Sequence, residues 1–123
     1  MNVRVYYEDT DAGSTVYHTN YIKFCERARS EYLFSQNIMP GSENEYGFVV
    51  RHISADYETT SSLGDMLTIK SFVTEIKNSS FTLLQETHKN KQKIFSMKIV
   101  FVYVENGIVV KIPEYFRDLL NSI

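Results

Sequence analysis

Tyr6-Tyr7-Glu8-Asp9-Thr10-Asp11-Ala12-Gly13-Ser14-Thr15-Val16-Tyr17-His18-Thr19-Asn20-Tyr21 joins two different hydrophobic periods within sixteen positions. Upstream, Val3, Val5 and Tyr7 alternate with Arg4, Tyr6 and Glu8, the two-residue period of a strand with one buried face. Asp9 to Ser14 is turn chemistry, in which Gly13 is expected to take backbone angles that a residue bearing a Cβ avoids. Downstream, Tyr21, Phe24, Cys25, Ala28 and Tyr32 recur at the spacing of one helical face, with Thr19 or Asn20 as N-cap. Lys23, Glu26, Arg27, Arg29 and Glu31 read as the solvated face of that helix, with Arg27 and Glu31 an i, i+4 pair. Met39-Pro40-Gly41-Ser42 ends the helix near Asn37, and a polar loop runs to about Tyr46.

From Gly47 onward the pattern changes to strand-like runs over Phe48 to Glu58, Met66 to Lys77, Phe81 to Lys89 and Ile94 to Glu105. Residues 61–65, 78–80 and 90–93 read as the turns between them. The last run is apolar on both faces, which predicts cover from the helix on one side and from another subunit or a ligand on the other. Pro113 to Leu120 predicts a short terminal helix with Pro in its first turn. One early strand, one long helix and four later strands predict an α+β domain over residues 1–123, a five-stranded antiparallel sheet wrapped around a central helix.

The composition narrows the classes of partner. The chain has 123 residues, 43% of them hydrophobic, enough for one core and too few for two ordinary domains. Thirteen basic and fifteen acidic residues leave a net charge of -2, with no field to gather nucleic acid or an anionic membrane. The single cysteine, Cys25, reads as a small buried hydrophobe in a reducing compartment. Neither a secretory h-region nor a membrane-length apolar run is visible, so a soluble, cytoplasmic protein is expected.

A loop entering a helix N-terminus presents unpaired backbone N–H groups and the positive end of the helix dipole. If a carboxylate on that loop faces the same spot, the pair can handle an acyl carbonyl: the carboxylate attacks or activates water while the amides hold the developing oxyanion. The rival reading of Asp9-x-Asp11-x-Gly13 as a calcium loop fails, because Gly13 falls at the fifth position and Asn20 stands at the twelfth, where a bidentate Glu is required.

Residues 6 to 21, with Glu26-Arg27-Ala28-Arg29-Ser30-Glu31 on the helix, closely resemble the signature of hotdog-fold acyl-CoA thioesterases, nearest to the YbgC subgroup of the 4-hydroxybenzoyl-CoA thioesterase family. The resemblance implies the hotdog fold, a homodimer or a homotetramer built as a dimer of dimers, active sites at the subunit interface, and no cofactor beyond the coenzyme A of the substrate. It matches Asp11 to the catalytic carboxylate, as nucleophile or general base. His18 matches the helix-start position whose backbone N–H polarises the thioester carbonyl and whose side chain is also implicated in the YbgC subgroup, and Tyr7 matches a position that orients water or the carboxylate. Val16, Tyr17, Lys77, Ser79 and Ser80 are the candidate substrate-binding residues, the last three as a phosphate-binding turn. Ser14-Thr15 departs from the Gly-Val common in the subgroup, and the thin basic content of residues 77–80 also suits an acyl carrier protein as substrate. Arg51, His52, Lys89, Lys91 and Lys93 are the basic residues that could meet such an acidic carrier. A hotdog dehydratase and a non-catalytic acyl-binding or scaffold module are the competing functions.

Overall fold

The computed structural model describes residues 1–39 and 47–123; the helix-stop signal at Pro40 to Ser42 and the polar loop to Tyr46 lie outside them. Strand β1 (Asn2–Arg4) leads into a 3-10 turn (Tyr7–Asp9) and the long helix α1 (His18–Ser35). The later elements are β2 (Phe48–Tyr57), β3 (Met66–Ile76), β4 (Ser80–Lys89), β5 (Gln92–Glu105), β6 (Ile108–Val109) and the short helix α2 (Glu114–Leu120). The strands lie in the order β1-β3-β4-β5-β2, every neighbouring pair antiparallel, and β6 turns back onto the end of β5. The sequence-based count of five strands therefore misses β6, whose two residues are too short for any alternation to show.

The two-residue period decides which side chains meet the helix. Leu67 and Ile69 of β3, Phe81 and Leu83 of β4, and Phe95, Met97 and Ile99 of β5 are buried in one cluster with Tyr21, Phe24 and Cys25 of α1. Phe24 and Cys25 are wholly buried, and truncating a phenylalanine in such a place costs about 3–5 kcal/mol. Cys25 is the buried hydrophobe expected of it, and desolvation pushes its thiol up to about 11.

One polar residue sits in the middle of this face. Gln85 of β4 is fully buried, donates to the Cys25 carbonyl at 3.0 Å and to Ser71 Oγ at 3.1 Å, and accepts from Arg29 Nη1 at 2.8 Å. Arg29 is thus not part of a solvated face. It is half-buried, its guanidinium lies 5.5 Å from the Phe101 ring centroid, and burial lowers its pKa. Nor do Arg27 and Glu31 form an ion pair among the described residues; Arg27 lies over the Phe24 ring at 5.8 Å.

A second polar tie holds the helix entry. Ser61, fully buried in the connection from β2 to β3, bonds the Tyr21 hydroxyl through Oγ at 2.8 Å and accepts the Val16 amide at 2.9 Å. Beneath the C-terminal half of α1 the packing loosens. Ala28, Tyr32 and Leu33 stand with Phe101, Phe116 and Leu119 around an apolar cavity of about 850 Å³.

Candidate active site

The strand alternation at the N-terminus stops earlier than its sequence predicts. Val5 is buried, but the chain then folds into the 3-10 turn because the Asp9 carboxylate accepts the Tyr6 amide at 2.9 Å. Tyr7 is therefore not a strand aromatic with a buried ring: it is 82% exposed, and its hydroxyl has no hydrogen-bond partner among the described residues. Asp9 itself is buried, its carboxylate committed to this turn.

Asp11 follows on an exposed turn. Its Oδ1 accepts the Gly13 amide at 2.8 Å, leaving Oδ2 without a partner among the described residues. Gly13 does not adopt left-handed angles; its role is space, since a Cβ there would lie 3.3 Å from Asp11 Oδ1. The left-handed residue is Ser14, with φ 66°, at the first of the two positions where the subgroup commonly carries Gly-Val.

The helix starts two to three positions earlier than Thr19 or Asn20 as N-cap would place it, with Tyr17 as N-cap and no side-chain cap. Asn20 is used instead to clamp the entry: its Nδ2 and the Tyr17 amide both donate to the Asp9 carbonyl at 2.9 Å. The acidic turn and the helix N-terminus are thereby one rigid unit. The amides of His18 and Thr19, the first two of α1, have no acceptor among the described residues, as helix geometry dictates. The His18 ring is exposed, 4.6 Å from the Tyr17 ring, and its carbonyl accepts the Tyr57 hydroxyl at 2.8 Å. Burial raises the Tyr57 pKa, with Tyr21 and Cys25 adding to the shift.

The remaining candidates divide. Val16 is buried in the core cluster, where its side chain anchors the turn; Tyr17 is half exposed. Lys77 and Ser80 line a cavity of about 350 Å³ with Arg51, His52 and Thr82, while Ser79 does not line it and gives its carbonyl to the Tyr103 amide. Arg51 enters through the bulge between Val50 and His52, a displacement that no alternation in the sequence reveals. Lys77 is itself exposed, with Glu75 at 3.8 Å. Neither of these two cavities has Tyr7, Asp11 or His18 in its wall. No group of three or more His, Cys, Asp and Glu side chains among the described residues is placed to hold a metal ion.

An antiparallel sheet wrapped on one helix, with a carboxylate turn clamped to the bare start of that helix, defines the hotdog class of thioester hydrolases. The chain belongs to the thioesterase superfamily, whose family model matches residues 13–96. It is similar over its full length to the acyl-CoA thioesterase YbgC of Helicobacter pylori, at 44% identity over 135 aligned positions that cover 100% of both chains. A probable thioesterase from Bartonella henselae superposes with a TM-score of 0.80 at 28% identity, over 92% of this chain and 97% of that one. A hypothetical protein from Aquifex aeolicus superposes at 0.88 with 24% identity, over 98% of this chain and 97% of its own, and shows the fold. The YbgC likeness read from residues 6–21 and the hotdog fold it implied are borne out by these relatives.

Proposed function

We propose that this enzyme hydrolyses acyl-CoA to a free carboxylic acid and coenzyme A, with Asp11 as the reacting carboxylate and the His18 amide as the oxyanion donor. The observation that carries this reading is the double hydrogen bond to the Asp9 carbonyl, which fixes the Asp11 turn against the first amides of α1. As general base, Asp11 takes a proton from water, whose oxygen bonds to the thioester carbon; the C–S bond then breaks and the thiolate recovers the proton. As nucleophile, Asp11 bonds to the thioester carbon and the C–S bond breaks to release the thiolate, leaving a mixed anhydride that water opens to the free acid and the Asp11 carboxylate. Incorporation of ¹⁸O from solvent into the Asp11 carboxyl over many turnovers separates the two routes. The scheme needs no metal and no cofactor beyond the coenzyme A of the substrate.

The second wall of the site is proposed to come from another copy of the chain, in a homodimer or a homotetramer. Supporting this, β2 is a ten-residue edge strand that among the described residues pairs only with β5, with Val49, Val50 and Ile53 exposed along it, and such an edge is a template for pairing. Sedimentation equilibrium tests the assembly. A reducing, cytoplasmic setting suits the one free thiol.

Acyl carrier protein is the alternative thioester donor, favoured by the single exposed lysine in the 77–80 turn. Thiol release across acyl-CoA chain lengths and an acyl carrier protein, beside Asp11→Asn, decides the substrate. Full activity of the variant defeats the assignment of Asp11, and tight acyl binding without thiol release from either donor favours a binding module.

A further inference from the structure

We infer that Tyr57 is a positioning residue for hydrolysis: its hydroxyl, bonded to the His18 carbonyl, orients and polarises the His18–Thr19 peptide so that the Thr19 amide acts as a second oxyanion donor beside that of His18. The inference rests on the site reading above and adds a donor and its support.

The geometry is specific to one peptide unit. The Tyr57 hydroxyl donates to the His18 carbonyl at 2.8 Å across the gap between the last residue of β2 and the first residue of α1. The opposite end of the same peptide is the Thr19 N–H, which has no acceptor among the described residues. Hydrogen bonding at a carbonyl increases the polarity of its own N–H, and in a partly dehydrated site that effect is transmitted to whatever the N–H contacts. The first two amides of a helix point in the same general direction, so a thioester oxygen held by His18 lies within the reach of both.

Tyr57 is 46% exposed, and its ring is braced by three aromatic neighbours. Its ring lies 4.9 Å from Phe95, 5.9 Å from Tyr21 and 6.2 Å from His18, a clasp of rings at the boundary between sheet and helix. These ring contacts hold the phenol beside the helix entry, where its hydroxyl bonds the first carbonyl of α1. Packing alone needs only the ring. The hydroxyl needs a further account, and among the described residues the His18 carbonyl is its only hydrogen-bond partner.

The test uses the full-length enzyme and the acyl-CoA that it hydrolyses fastest. Tyr57→Phe keeps the ring and removes the bond. The expected result is a fall in kcat of roughly tenfold, less than the loss of a direct donor, with KM within about twofold and an unchanged thermal midpoint. Site-specific 3-fluorotyrosine at position 57, assayed below the pH at which that phenol ionises, supplies a stronger donor of nearly the same shape and raises kcat above the native value. A Tyr57→Phe enzyme with native kcat overturns the proposal. So does a fluorotyrosine enzyme no faster than native, or a fall in kcat that arrives together with a rise in KM and a loss of thermal stability, the marks of a packing role. Asp11→Asn in the same assay keeps the two readings apart: if it is inactive while Tyr57→Phe is native, only the role of Tyr57 fails, whereas an active Asp11→Asn removes the site and this inference with it.

Discussion

Asp9 and Asp11 are two positions apart in one turn, yet the Asp9 carboxylate is buried on the Tyr6 amide at 2.9 Å while Asp11 is exposed with one oxygen uncommitted. The pair therefore separates stability from turnover. Asp9→Ala is expected to lower unfolding free energy by about 1–2 kcal/mol, read from urea midpoints. Asp11→Asn leaves that midpoint near native and removes thiol release.

Gly13 and Ser14 respond oppositely to added bulk. Gly13→Ala places a methyl 3.3 Å from Asp11 Oδ1, so the carboxylate must shift; kcat should fall several-fold with little change in melting temperature. Ser14→Val puts a β-branched side chain at φ 66° and should cost about 1–2 kcal/mol, whereas Ser14→Gly is tolerated.

Gln85→Leu strips Arg29 of its acceptor and leaves the half-buried guanidinium uncompensated. A loss of about 3 kcal/mol is expected in equilibrium unfolding. The double variant Gln85→Leu with Arg29→Met should recover most of it, because both polar partners are then gone.

The Cys25 thiol is raised in the folded chain to about 11 from an ordinary value of 9.0. Between those values the unfolded chain has lost the proton and the folded chain has kept it, so the thiol's contribution is present at neutral pH and declines as pH climbs through the window. The decline is at most about 1.4 kcal/mol per pH unit. Cys25→Ala should show a flatter stability profile there, and the native thiol should react with a disulfide reagent only after unfolding.

Lys77→Ala and Arg51→Ala probe the small cavity they share with His52 and Ser80. If that cavity holds nucleotide phosphates, KM for acyl-CoA rises and its salt dependence weakens, while KM for the matching acyl-pantetheine stays put. Equal effects on both thioesters exclude a phosphate contact.

Much of this architecture is legible in the residues because long elements average out local exceptions. The strands beginning at Phe48, Met66, Phe81 and Ile94 lie within about two residues of their sequence-derived bounds, a usual error for strand ends. The failures are places where one side chain overrules a period. Val3, Val5 and Tyr7 alternate, but the Asp9 carboxylate captures the Tyr6 amide and turns the chain before Tyr7 can enter the sheet. Asn20 looks like a cap and instead reaches back to the Asp9 carbonyl. Arg29 falls among charged neighbours, and only a glutamine 56 positions away explains why it turns inward. At the site, the acidic turn is readable from local order, while the helix start lies two to three residues before the expected caps, and Arg51 and Tyr57 arrive through a bulge and a cross-element bond that no local window contains.

Ser61 couples the length of the β2–β3 connection to the position of the Asp11 turn, since it holds both Val16 and Tyr21. An insertion between Glu58 and Asp65 would therefore be felt as a displaced carboxylate, however well the sheet survived. Among the described residues the hairpin at Asn106-Gly107 makes no hydrogen bond to the Asp11 turn or to α1, and a Cβ at Gly107 meets nothing within 4 Å. Tags, fusions or lineage-specific extensions belong there, where the chain can lengthen without retuning its chemistry.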